Sequence, residues 1–107
     1  MSDFDPDKIY RQLIECGESW VDTNAAAELL EETRKTVLAE LMNKEHGSQN
    51  AKESAALANP AYKLHLVNMV TARKEANRAK VRYDSMKVLA EMRRTQESTR
   101  RAEIGIR

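Results

Sequence analysis

The sequence has few of the residues that build turns, sheets and cross-links. Of its 107 residues, three are glycine, two are proline, five are aromatic and one is cysteine. A β-sandwich, a barrel or a doubly wound sheet needs more turn and strand formers than this. A single cysteine excludes an intrachain disulfide and a cysteine metal cluster, and it suits a reducing, intracellular setting. These shortages exclude most enzyme scaffolds.

Targeting and membrane-spanning signals are also lacking. The N-terminus carries acidic residues where a signal peptide needs a basic region. No apolar run approaches the roughly 18 residues that a bilayer-spanning helix needs. We therefore expect a soluble, cytoplasmic protein with no membrane partner.

What the sequence does contain favours helices. Charged residues make up 33% of the chain, and hydrophobic residues 41%. The surplus of Ala, Glu, Lys, Arg, Leu and Met is typical of long helices. A chain of this length suits one domain, so we predict a single all-α domain over residues 1–107.

Capping residues and apolar spacing divide that domain into helices. Asp5-Pro6 is a typical helix start, and apolar residues at helical spacing predict a first arm over 6–45. Gly17 and the polar run that follows leave it open whether this arm is continuous or has a break or kink near residues 17–24. A connector helix is predicted over 48–58.

Asn59-Pro60 repeats the opening pattern of cap and first-turn proline. Because neither glycine nor proline follows before residue 103, we predict one long basic helix over about 60–103 and a tail over 104–107. Two arms and a short connector form an elongated antiparallel helical hairpin. Such a hairpin buries one narrow seam, so we expect self-association, as a dimer or larger oligomer, to complete a coiled-coil or four-helix core.

The net charge of +1 is the sum of an acidic N-terminal part and a basic C-terminal part. Residues 1–72 carry 7 Lys+Arg and 12 Asp+Glu, whereas residues 73–107 carry 11 and 5. Either the basic helix lies along the acidic first arm and forms interhelical ion pairs, or its cations contact phosphates. The acidic partners in the first case are Glu28, Glu31, Glu32 and Glu40. The candidates for phosphate or partner binding are Lys87, Arg93, Arg94, Arg100 and Arg101.

Catalytic patterns are missing. The sequence contains no GxxxxGK[ST], GxGxxG or HExxH motif. Cys16 lies on an apolar helical stripe, which indicates a core residue. His46 and His65 lie far apart, and no acid stands three or four residues before His65 to complete a metal-ligand pair. We expect no enzyme activity, catalytic residue, cofactor, metal or small-molecule substrate.

Three segments carry a resemblance to a known group of proteins. They are KESAALANPAYKLHL at residues 52–66, RKEANRAKVRY at 73–83 and RRTQESTRRAE at 93–103. The region 25–103 resembles small helical proteins of tailed bacteriophages, which are encoded near single-strand annealing proteins and exonucleases in recombination modules. The resemblance implies a recombination or replication accessory protein, located in the host cytoplasm, that acts on single-stranded DNA or on its annealing protein. It makes Tyr62, His65 and Tyr83 candidates for a shared surface.

Function remains open between two main interpretations. In the first, a non-enzymatic accessory protein of DNA recombination binds nucleic acid or an annealing protein through its basic helix. In the second, a structural or inhibitory module, such as a virion component or an anti-defence protein, binds proteins and makes no DNA contact. A helical metal enzyme is a third alternative.

Overall fold

The computed structural model describes residues 5–106, which form four α-helices and no strand. The helices are α1 (Pro6–Glu32), α2 (Arg34–Asn43), α3 (Gln49–Ala58) and α4 (Pro60–Ile106). The all-α helical hairpin predicted from the sequence is confirmed. None of these helices contains a stretch apolar enough to cross a bilayer.

Helix α1 starts at the predicted cap and ends at Glu32, so the predicted first arm over 6–45 consists of two helices, α1 and α2. The carboxylate of Asp5 accepts hydrogen bonds from the backbone N–H groups of Asp7 and Lys8, at 3.0 and 3.2 Å. The helix then continues through residues 17–24, so the first arm is continuous at the positions where the sequence left this open. The interruption lies at Thr33 instead, whose hydroxyl donates to the carbonyl of Leu29 at 2.7 Å. Such a bond from a Thr side chain competes with regular helical hydrogen bonding and bends helices.

Gly17 does not interrupt α1, because the Tyr83 ring packs where a side chain at position 17 would lie. A Cβ atom at this position would lie 3.2 Å from Cε1 of Tyr83, which is tight for a carbon contact. The missing side chain makes room for the Tyr83 ring. Helix packing outweighs the roughly 1 kcal/mol that glycine costs in a helix interior.

The two chain reversals use the predicted signals. Gly47 has a φ of 111°, which favours glycine. The Ser48 hydroxyl caps α3 by accepting from the N–H of Ala51 at 3.2 Å, and the Asn59 amide oxygen caps α4 by accepting from that of Ala61 at 2.8 Å. Helix α4 extends to Ile106, so most of the predicted tail is helical. One glycine near a helix end is too weak a breaker to stop α4 earlier.

The helices group into two compact units. Unit 1 is Met1–Val21 with Asn77–Arg107, and unit 2 is Asp22–Ala76. The predicted organisation of residues 1–107 as one domain stays a prediction. In each unit, a segment of α1 packs antiparallel against a segment of α4.

Unit 2 has the larger apolar core. Leu41 of α2, Ala56 of α3 and Tyr62 of α4 are buried together. Half-buried apolar side chains surround them; these are Val37, Leu38, Met42 and Leu66. Ala27 of α1 and Ala76 of α4 are fully buried, because small residues allow close helix approach.

Unit 1 is held by aromatic and small side chains. The rings of Trp20 on α1 and Tyr83 on α4 stack with centroids 6.2 Å apart and an interplanar angle of 18°. Ala79 is buried in the same unit. Stacked aromatic pairs of this kind stabilise beyond the area that they bury.

Candidate nucleic-acid interface

The packed face of α4 decides which of its cations point outward. Buried and half-buried residues recur along α4 at alternating steps of three and four, and they include Tyr62, His65, Met69, Ala72, Ala76, Ala79, Tyr83, Met86, Ala90, Arg93 and Glu97. This seven-residue repeat is the pattern of a helix packed along one seam. Of the five predicted binding residues, Arg93 lies on the seam and the other four are exposed.

Lys87 is positioned by two neighbours on its own helix. Its Nζ lies 3.2 Å from Oδ1 of Asp84 and 4.6 Å from the centroid of the Tyr83 ring. The hydrogen bond from Lys87 holds the pKa of Asp84 below its ordinary value, and the charge of Lys80 lowers it further. Lys87 is therefore tied to the aromatic stack of unit 1 while its side chain stays half exposed.

Arg94 and Arg100 also pair with an acid on their own helix. Each guanidinium pairs with the glutamate three residues before it, Arg94 with Glu91 and Arg100 with Glu97, the latter at 3.0 Å. Both arginine side chains are more than 60% exposed. Glu91 is 65% exposed, so its pair with Arg94 contributes little to stability and a phosphate can replace this glutamate at low cost. Glu97 is 27% exposed and lies on the packed face of α4.

Arg93 and Arg101 occupy different surroundings. Arg93 lines a shallow groove of unit 1 together with Leu89 of α4 and with Asp5, Lys8, Ile9 and Gln12 of α1. Arg101 lies on an exposed turn near the end of α4. The predicted set thus divides into three cations with a carboxylate on the same helix, one in a groove and one on the open helix surface.

The three residues singled out by the phage resemblance have structural contacts. Tyr62 is 5% exposed and belongs to the core of unit 2. His65, also in unit 2, donates from Nε2 to the carbonyl oxygen of Leu30 at 2.8 Å. Tyr83 belongs to the stack of unit 1. Tyr62 is too buried to form part of a binding surface, and His65 and Tyr83 use their rings to join α4 to α1.

The structure adds one polar cluster that the sequence indicates only in part. Arg73 on α4 donates from Nε and Nη2 to the two carboxylate oxygens of Glu31 on α1, at 2.8 and 2.7 Å. Its Nη1 donates to the Asn24 side-chain oxygen at 2.8 Å. Glu31 was among the acids expected to pair with the basic arm. The role of Asn24 in this cluster was not predicted, because the polar run that contains it was considered only as a break or kink in the first arm.

No metal site is evident between residues 5 and 106. No three His, Cys, Asp or Glu side chains in this range come close enough together to hold a metal ion. Cys16 is a free, half-buried thiol. The polar groups described above are suited to holding helices together and to presenting positive charge.

Comparison with known proteins gives no relative from which a function can be transferred. No family model matches the chain, and neither a curated protein nor a solved structure matches it.

Proposed function

We propose that this protein is a non-enzymatic accessory factor of DNA recombination or replication, of the kind encoded by tailed bacteriophages. In this proposal it works as a homo-oligomer in the cytoplasm of the host cell and binds the backbone of single-stranded DNA through the second half of α4. The alternative ligand of the same helix is a single-strand annealing protein.

One observation carries the proposal. The second half of α4 displays exposed cations, and residues 73–107 carry 11 Lys+Arg against 5 Asp+Glu. The observed carboxylate partners of Lys87, Arg94 and Arg100 lie on the same helix, and Asp84 and Glu91, at 48% and 65% exposure, are accessible enough for phosphates to replace them. Positive charge on a rigid helix gives salt-dependent binding to polyanions with little sequence preference.

A salt titration tests this proposal. The affinity for a fluorescent single-stranded oligonucleotide is measured by anisotropy as the salt concentration rises. The variant R93A/R94A/R100A/R101A should bind more weakly, and its log–log salt slope should be shallower by about 1 to 3. The matched control is R34A/K35A/K44A/K52A, which removes four cations from unit 2 and should keep the slope of the wild type.

Two results would reject direct DNA binding. One is no measurable affinity at about 50 mM salt, where phosphate contacts are strong. The other is an equal loss of affinity in the test variant and its control, because net charge alone would then explain the binding.

A second candidate function is a protein-binding module without DNA contact, such as a virion component or an anti-defence protein. It is favoured by apolar side chains close to the arginines on α4, since Val88, Leu89 and Met92 are 58%, 40% and 56% exposed. Such side chains suit a protein surface better than a phosphate backbone. Capture of a protein partner that survives nuclease treatment, with no oligonucleotide binding, would support this candidate.

A further inference from the structure

Within unit 2, helix α4 carries an exposed apolar stripe with a lysine at each end. The stripe consists of Lys63, Val67, Val70 and Lys74, at steps of four, three and four residues, with Leu64 beside it. Val67, Val70 and Leu64 are 52%, 64% and 61% exposed. Each valine precedes a half-buried seam residue by two positions, about 200° around the helix from it. This α4 stripe therefore faces away from the seam.

Helix α1 carries a matching stripe in the same unit, with an acid at each end. It consists of Asp22, Ala25, Leu29 and Glu32, which are all exposed and follow one another at steps of three, four and three residues. Leu29 is 62% exposed and lies two positions after Ala27, which is fully buried. This α1 stripe, too, lies on the side of its helix that is turned away from the packed face.

The charged ends of the two stripes match in spacing and lack partners. At about 1.5 Å per residue, Asp22 and Glu32 lie about 15 Å apart along α1. Lys63 and Lys74 lie about 16.5 Å apart along α4 on the same basis. None of these four side chains takes part in an ion pair with another of residues 5–106. All four charges are therefore available to a partner molecule.

Charge decides which surface can cover each stripe. Two α4 stripes in contact would place lysine against lysine at both ends, whether the helices are parallel or antiparallel. Two α1 stripes would likewise place acid against acid. An α1 stripe on an α4 stripe brings a carboxylate to an ammonium group at both ends and apolar side chains together between them. Because both stripes face away from the packed side of their helices, one chain cannot form this contact within itself.

We propose that a second copy of this chain lays its α1 stripe on the α4 stripe, with Leu29 packed on the valines and with Asp22 and Glu32 paired to the lysines. This assignment rests on the self-association in the proposed function and names its surfaces. It does not depend on DNA binding. The stripes belong to different helices, so the contact is head-to-tail, and a copy bound through one stripe still presents the other.

Charge reversal in mixtures tests the contact. Glu32→Lys, Lys63→Glu and Lys74→Glu should each weaken self-association by about tenfold in sedimentation velocity, because like charges then meet at one end. An equimolar mixture of Glu32→Lys with one lysine variant should recover wild-type association. That variant is Lys63→Glu if the two stripes are antiparallel and Lys74→Glu if they are parallel. Mixing cannot repair a defect confined to one chain, so recovery assigns the pair to an intermolecular contact.

The matched controls reverse charges of unit 2 outside both stripes. Glu53→Lys on α3 and Lys44→Glu at the end of α2 make the same changes in net charge at exposed positions. Both should associate like the wild type. Circular dichroism at the same concentration shows that each variant is folded.

A disulfide test gives the direction independently. In a Cys16→Ala background, Leu29→Cys chains are mixed with Val67→Cys or Val70→Cys chains and oxidised. Antiparallel stripes should crosslink Leu29→Cys faster to Val67→Cys, and parallel stripes faster to Val70→Cys. Each variant alone should form little crosslinked species.

Four results overturn the assignment. They are a monomer across the micromolar range, stripe reversals that weaken association no more than the controls do, failure of both mixtures to recover, and crosslinks that join identical positions in preference to mixed ones. The four-arginine variant, measured in parallel, separates the two proposals. Its substitutions lie in unit 1, so it should associate normally, and its failure to bind an oligonucleotide has no bearing on this contact.

Discussion

The guanidinium of Arg73 on α4 donates two parallel hydrogen bonds to the carboxylate of Glu31 on α1. It donates a third to the side-chain oxygen of Asn24. This geometry needs the planar fork of arginine, which an ammonium group cannot reproduce. It joins residues 42 positions apart and fixes the register of α1 on α4 within unit 2.

We predict that Arg73→Lys destabilises the protein nearly as much as Arg73→Ala. Lysine keeps the charge but loses the fork and the bond to Asn24. Thermal unfolding followed by circular dichroism measures the effect, and Arg78→Ala, on an exposed position of α4, is the control that should leave Tm almost unchanged. Full recovery of stability by lysine would show that charge alone matters at this position.

The same pair makes stability fall in acid. The hydrogen bond from Arg73 holds the pKa of Glu31 below its ordinary value of 4.5. Glu31 thus contributes stability that is present above pH 4.5 and is lost as pH falls through the lower pKa of the folded state. Glu31→Gln should be less stable than wild type at pH 7 and should approach it as the pH is lowered below 4.5. Denaturant unfolding across this range measures the change, and parallel curves would contradict the prediction.

Gly17 and Gly105 should respond oppositely to a larger side chain. A β-branched residue at Gly17 meets Tyr83, so Gly17→Val should cost about 1 to 3 kcal/mol and disturb the Trp20–Tyr83 stack. The fluorescence of Trp20, the single tryptophan, reports this change. Gly105 has open space around it, and Gly105→Ala should be neutral or should stabilise by up to about 1 kcal/mol.

Tyr62 and Tyr10 should differ in the cost of truncation. Tyr62 is 5% exposed and packs with Leu41 and Ala56, so Tyr62→Ala should cost about 3 to 5 kcal/mol. Tyr10 is 64% exposed, and Tyr10→Ala should change the stability of the monomer by no more than about 0.5 kcal/mol. Chemical unfolding at low protein concentration provides both values. Similar costs for the two would contradict the assignment of Tyr62 to the core.

The starts of α1, α3 and α4 could be predicted from the sequence because their causes are local. Asp5, Ser48 and Asn59 cap their helices by hydrogen bonds that span two or three residues. The continuity of α1 at Gly17 could not be predicted, because its cause is Tyr83 on another helix. The interruption at Thr33 depends on a side-chain bond that many helical threonines form without breaking a helix.

The contacts of the candidate nucleic-acid interface could also be predicted only where their cause is local. The acid three residues before Lys87, Arg94 and Arg100 is visible in the sequence, since such positions are neighbours on a helix surface. The choice of Glu31 as the partner of Arg73, among four candidate glutamates, depends on the register of two helices that composition does not encode.

The carboxylates beside Lys87, Arg94 and Arg100 act as counterions that are covalently attached to α4. A polyanion that docks on this helix displaces covalently attached acids as well as mobile ions, so it releases fewer ions than a count of cations suggests. In the proposed complex, the salt slope of binding is then shallower than the number of phosphate contacts predicts.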